Sequence, residues 1–315
     1  MNRQIFLSFF AFACIGATQA VFAHQAESVQ SVLDTVNRLY NVTSGHCQEP
    51  DTHAARGHYY CSGLLVRTVE DNDYLPWTFS PQATAMGASS YSWIRADVAT
   101  TRLLRQAGFI LRNAREAGAR GLPAVDAGFM CLFAIDGSTA AGRPLPHYGC
   151  EHRKDVLPVN FPQPSAMHRN IEFAWGQCEA AGILTHEQWV DFRQGYPDTE
   201  SSWAQCSWNV DRPEAWDHAI LEHRLYGAIA EDFYIWNELL LRITDDGSML
   251  KDKIAAFFYD PNFKYEEGES LPQAQNFQRK LDAHGYQVPV LRVDFKAPAS
   301  QRFSYHPEDQ VIPLW

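Results

Sequence analysis

Positive charge is scarce in this chain: 26 Lys and Arg stand against 37 Asp and Glu in 315 residues, a formal net charge of −11. Domains that track nucleic-acid phosphates concentrate basic residues, so no nucleic-acid partner is expected. The sequence also lacks an HExxH helix, a GxSxG elbow, a Walker P-loop and a GxGxxG fingerprint. The metalloprotease, esterase, NTPase and dinucleotide-fold dehydrogenase classes fall away with them. Beyond the first residues no apolar run is long enough to cross a bilayer, so no membrane span is expected.

Cysteine is sparse, and its placement is informative. Residues 1–23 read as a secretory signal: Arg3 gives the basic start, "IFLSFFAFACIGA" the apolar core, and Val21-Phe22-Ala23 the small-residue cleavage site. Of the seven cysteines, Cys14 lies in that leader, leaving Cys47, Cys61, Cys131, Cys150, Cys178 and Cys206 for an oxidising compartment. Three disulfides follow, and pairing of neighbours in sequence (47 with 61, 131 with 150, 178 with 206) is the economical expectation. His147, Cys150 and His152 have zinc-ligand chemistry, but one cysteine in a chain expected to form bridges reads as a disulfide beside two histidines. No metal site is expected.

Aromatics and apolar residues are plentiful, at 13% and 46%, enough for a large core. Val29, Val32, Leu33, Val36 and Leu39 recur at three and four, the face of a helix over residues 25–40. The run from Tyr60 to Val69 reads as a strand buried on both faces. It is followed by a long connection carrying Tyr74, Trp77 and Phe79. A strand is expected over Ser89 to Ala96, then a helix, or a helix leading to a strand, over residues 98–118. Further strands are expected over Ala127 to Asp136, Ile254 to Asp260 and Val288 to Phe295. "THEQ" at Thr185 to Gln188 has capping-box form, and "DRPE" at Asp211 to Glu214 opens a helix. Its stripe continues through Leu225, Ile229, Phe233, Trp236, Leu240 and Ile243. Leu271 to His284 is a helix stopped by Gly285. One disulfide-stabilised α+β domain over residues 24–296, with a loose tail over 297–315, is the expected organisation.

The chemistry-bearing residues are Arg67 near the end of the first strand, Ser90 and Ser92 on the next, and a later glutamate. A guanidinium suits a pyrophosphate, hydroxyls suit a ribose, and a carboxylate steadies an oxocarbenium ion. Glu238 in "WNELLLRI" stands at the mouth of a strand if residues 238–243 form one, and turns to solvent if they form a helix. Glu267 and Glu269 in "YEEGES" are the rival acids. Arg95 is either a second phosphate contact, the favoured role, or the partner of Asp97. Tyr74 and Trp77 are either packing residues or rings that stack on a bound base.

The blocks "YYCSGLLVRT", "YLPWTFSP", "SSYSWIRAD", "CLFAID", "QCSWNVDR", "NELLLR", "IAAFFY" and "VPVLRVDF" resemble the halovibrin family of secreted bacterial NAD-consuming proteins. That family more often reads "SGGVSFSYLR" where this chain reads "GASSYSWIR", losing one glycine at Ala88. The resemblance implies a secreted NAD glycohydrolase that releases nicotinamide and ADP-ribose, with ADP-ribosyl transfer to a protein as a second activity. NAD is then the substrate, and no cofactor is called for. By a looser analogy the fold would be ADP-ribosyltransferase-like, a split mixed sheet flanked by helices. The alternative is a non-enzymatic secreted binding protein that meets a host or cell-surface partner through its aromatic loop, with Arg67 merely structural.

Overall fold

The computed structural model describes residues 27–125 apart from 44–46, 50, 51, 53, 70–74, 80, 87, 99, 101 and 102. Beyond these it describes 129–133, 207, 208, 210, 213–229, 237–242, 248–263 and 270–312. The leader, the capping box at 185–188, His147 and His152, and Cys150, Cys178 and Cys206 lie outside the described residues, as does the side chain of Cys131. So does the long excursion around them.

Helices α1 (Val29–Asn41), α2 (Pro81–Met86), α3 (Ala114–Arg120), α4 (Pro213–Ile229) and α5 (Ser270–Asp282) surround the sheet. The strands are β1 (Leu64–Thr68), β2 (Ala88–Ile94), β3 (Ala107–Leu111), β4 (Phe129–Phe133), β5 (Ser207–Trp208), β6 (Glu238–Arg242), β7 (Ile254–Tyr259), β8 (Val290–Val293) and β9 (Phe303–Ser304). They join in the order β5-β4-β6-β2-β1-β3-β7-β8-β9, one nine-stranded sheet rather than two halves. Only β7 and β8 run parallel, so the sheet is mixed. The chain is thus α+β, and among the described residues no helix is long and apolar enough to cross a membrane.

Side chains on a strand alternate between faces, and each face here has its own core. On one face Leu65, Tyr91, Trp93, Phe109, Leu239, Leu241, Phe257 and Tyr259 pack against Trp216 of α4 and Ala274, Phe277 and Leu281 of α5. On the other Leu64, Val66, Ile94, Ile110, Phe258 and Leu291 pack against Val32, Val36, Leu39 and Tyr40 of α1. The α1 stripe is the one its spacing predicts. Ser28 caps it, its hydroxyl accepting from the Ser31 amide. Cys47 and Cys61 form the expected disulfide, with Cα atoms 5.5 Å apart, closing the loop that leads into β1.

Three expectations are corrected. Residues 107–120 are a strand followed by a helix, with no described helix before them; Gly108 sits where a Cβ would strike the Arg67 carbonyl at 2.0 Å, a close approach that a strand imposes. The apolar stripe through Leu240 and Ile243 does not continue α4, because residues 238–242 belong to β6, whose run Glu-Leu-Leu-Leu is buried on both faces of the sheet. The segment after Lys296 is no loose tail. β9 pairs with β8, Tyr259 donates to Asp309 at 2.5 Å, and Gln310 brackets the backbone of Val290 with two 2.9 Å bonds.

The start of β6 is pinned by a side chain. Asn237 Oδ1 accepts from the Trp93 amide at 2.7 Å and its Nδ2 donates to the Trp93 carbonyl at 2.6 Å, standing in for a strand residue. Replacing Asn237 with Ala leaves both buried backbone groups unpaired, at about 1–3 kcal/mol each. Urea unfolding of Asn237→Ala is therefore expected to show a loss of roughly 2–5 kcal/mol; a loss below about 1 kcal/mol would contradict this role.

Candidate functional site

The three strands that carry the predicted arginine, serines and glutamate are neighbours, in the order β6-β2-β1. Their register then divides the residues. Val66 faces Ser92 across β1 and β2, and Arg67 faces Phe109 across β1 and β3. Ser92 therefore shares the α1 face with Val66, and Ser90, two residues away, shares it too. Arg67 lies on the opposite face with Phe109. Along β6, Leu239 faces Tyr91 and Leu240 faces Ser90, so Glu238 stands on the Ser90 and Ser92 face. One residue further in that register, Glu238 is level with Ser92.

The expected grouping is thus split by the sheet. Ser90, Ser92 and Glu238 come together, and Arg67 is separated from all three. The strand reading of residues 238–242 holds, and Glu238 is 0% exposed rather than turned to solvent. Its carboxylate does not share a face with Arg67.

On its own face Arg67 is half-buried and has no carboxylate partner among the described residues. Its guanidinium lies 5.1 Å from the centre of the Phe79 ring and 5.8 Å from that of Tyr91. One nitrogen donates to the Thr78 carbonyl at 3.5 Å, the outer limit of a hydrogen bond. Cation–π contact is weaker than an ion pair with a buried carboxylate, so the described residues hold the charge without neutralising it. Ser89 and Tyr91, which alternate with Ser90 and Ser92, share this face. Burial pushes the Tyr91 phenol above its ordinary range, an effect that the neighbouring Arg67 and Ser89 oppose. At the end of β1, Gln273 in the first turn of α5 donates to the Val69 carbonyl at 2.9 Å. This brings α5 to the same end of the strand as Arg67.

Arg95 has a different environment, and its expected phosphate contact is corrected. It is 2% exposed, and it grips Asp97 through Nε at 2.6 Å and Nη2 at 2.8 Å. Its Nη1 donates to His58 Nδ1 at 2.9 Å and to Ser62 Oγ at 3.0 Å. A guanidinium has no acceptor, so His58 Nδ1 must carry the lone pair of this contact. Trp93 covers the group, its indole N–H donating to the Ser62 carbonyl at 3.0 Å. With its donors committed in this way, Arg95 fastens the end of β2 to the segment just after the disulfide.

Of the two alternatives for Trp77 the structure shows packing: it is 2% exposed, with its ring edge-on to His284 at 5.3 Å, and Phe79 is buried beside it. Two aromatics of the connection therefore serve the core. Tyr74, Glu267 and Glu269 lie outside the described residues. Ser89, Tyr91, Asn237 and His58 went unassigned in the sequence. Once Arg67 is fixed on a face, strand alternation is the signal that selects Ser89 and Tyr91. The register that fixes it is a long-range property.

A small cavity of about 30 Å³ lies elsewhere, between α1 and α3, where Arg112 and Arg120 both bond Glu27. Those contacts tie down the start of α1. No protein-family model matches the chain, and no curated protein matches it.

The two arginines should respond differently to the same substitution. Arg95→Lys removes the bidentate grip and leaves buried acceptors unmet, so a loss of about 3 kcal/mol is expected in urea unfolding. Arg67→Lys should shift stability by about 1 kcal/mol or less. Equal losses at the two positions would contradict this division.

Proposed function

We propose that this chain is a secreted NAD glycohydrolase in which Arg67 holds the pyrophosphate of NAD. The observation that carries the reading is the half-buried guanidinium lodged between Phe79 and Tyr91 with no carboxylate partner among the described residues. A half-buried guanidinium that no described carboxylate neutralises is a ready partner for a diphosphate, whose oxygens match its fork of donors. The blocks similar to the halovibrin family lend further support. The leader sequence and the Cys47–Cys61 bridge agree with export.

In the proposed reaction the bond from C1′ of the ribose to the nicotinamide nitrogen breaks, and nicotinamide leaves with the electron pair. Water adds to the resulting oxocarbenium ion and loses a proton, giving ADP-ribose. A protein side chain in place of water would make the product an ADP-ribosylated protein. A carboxylate near C1′ stabilises the cation as it develops. A ligand held by Arg67 cannot also touch Glu238, because the sheet stands between them. Glu267 and Glu269, three and one residues before Ser270 in sequence, are then the candidates for that role, since α5 begins at Ser270 and its Gln273 holds the end of β1.

Nicotinamide release from NAD by the oxidised protein lacking residues 1–23 tests this. Arg67→Ala is expected to lower turnover by about 100-fold or more, as is Gln at Glu267 or at Glu269. Glu238→Gln should keep activity within about tenfold of the parent and lower stability instead. No release by the parent protein, or activity abolished by Glu238→Gln in a folded protein, would overturn the proposal.

A further inference from the structure

Two buried hydroxyls on the Arg67 face lie close to each other and to that guanidinium without a well-aligned hydrogen bond. Ser89 is 1% exposed and Tyr91 2% exposed, and neither Ser89 Oγ nor Tyr91 Oη has a partner in hydrogen-bond geometry. A buried hydroxyl left unmet is costly, and such groups in folded proteins call for a reason. Packing does not supply one. Alanine and phenylalanine would fill the same space with no polar atom to satisfy. Both hydroxyls sit on β2 next to Arg67, whose contacts among the described residues are two rings, a 3.5 Å bond to a carbonyl and the Tyr91 phenol itself.

We infer that Ser89 Oγ and Tyr91 Oη, rather than Ser90 and Ser92, join Arg67 in binding a diphosphate, each donating its O–H to a phosphate oxygen. The inference rests on the reading of Arg67 as the pyrophosphate grip, and it adds the residues that complete the grip. All three groups are donors toward an anion, and the diphosphate bridge of a dinucleotide, ionised on both phosphates at neutral pH, presents only acceptors. The two hydroxyls stand on alternate residues of one strand face beside Arg67, and three donors gathered there are better matched by the several oxygens of a diphosphate than by those of a single phosphate. To admit it, the Arg67 guanidinium slides off the Tyr91 ring, and little holds it there. Ser90, Ser92 and Glu238 remain on the far side of the sheet throughout.

Titration calorimetry of the oxidised protein lacking residues 1–23, with inorganic pyrophosphate, inorganic phosphate and ADP-ribose as probes, tests this. Pyrophosphate should bind more tightly than phosphate. A nucleotide-borne diphosphate is the natural ligand if ADP-ribose binds more tightly still, and the free anion is if it does not. Tyr91→Phe and Ser89→Ala should each weaken pyrophosphate about tenfold or more, with an unfolding midpoint unchanged or raised. Ser90→Ala and Ser92→Ala should bind it within about twofold of the parent, a shift too small for a lost charged hydrogen bond. Failure of the parent protein to bind pyrophosphate overturns the inference, as does binding that depends on Ser90 or Ser92 and not on Tyr91. Nicotinamide release read in parallel separates the two claims. Release with binding indifferent to Ser89 and Tyr91 removes this inference and keeps the enzyme reading. Tyr91-dependent binding without release does the reverse.

Discussion

The pairing of Val66 with Ser92 across β1 and β2, and of Tyr91 with Leu239 across β2 and β6, governs which side chains can meet. Because the period of a strand is two, a shift of one residue in the first pairing would move Arg67 to the face of Ser90, Ser92 and Glu238, and a shift in the second would move Glu238 to the face of Arg67. Apolar neighbours prevent that shift. Leu65 and Trp93 must enter one core and Leu64 and Ile94 the other. Slipping the register would carry each row into the opposite core, where its side chains no longer match the space, at about 1–3 kcal/mol for each misfitted large apolar side chain. The location of the arginine is thus set by packing of residues with no chemistry of their own.

Within that frame three arginines show three ways of keeping a guanidinium in a protein. Arg95 is buried and fully engaged, with a bidentate carboxylate, a histidine and a serine around it. Arg302 rests on the Tyr40 and Phe295 rings, where it helps close the α1 face. Arg67 rests on rings as well, but it does so at the end of β1, beside two buried hydroxyls that the fold leaves unmet. In the proposed function this weakly held cation beside two buried hydroxyls is an anion site, whereas Arg95 spends four of its five N–H donors within the fold.

Much of the fold was legible from local pattern. The 3.6-residue stripe of α1, the apolar runs of β1 and β7, Gly285 after α5 and the bridge between Cys47 and Cys61 depend on neighbours in sequence, and they stand as read. The misreadings came from long-range effects. "NELLLR" carried a helical phase by chance, and its strand state comes from pairing with β2 and β4. The segment after Lys296 looked loose because its anchors, Tyr259, Gln278 and Val290, are distant in sequence. Of the site, the strand neighbours β6-β2-β1 matched the order of the candidate residues. The face each residue took was hidden, since Leu64 to Val66 are buried on both sides and give no parity signal. Trp77 drew notice as an aromatic in a loop, yet its ring was needed in the core.

The most direct measurement of the central claim is a crystal structure of the oxidised protein with ADP-ribose bound. The account predicts the diphosphate on the Arg67 face, its oxygens about 2.7–2.9 Å from the guanidinium nitrogens, with Glu238 still buried across the sheet. Diphosphate density on the opposite face, against Ser90, Ser92 and Glu238 with Arg67 still resting on Phe79 and Tyr91, would contradict it.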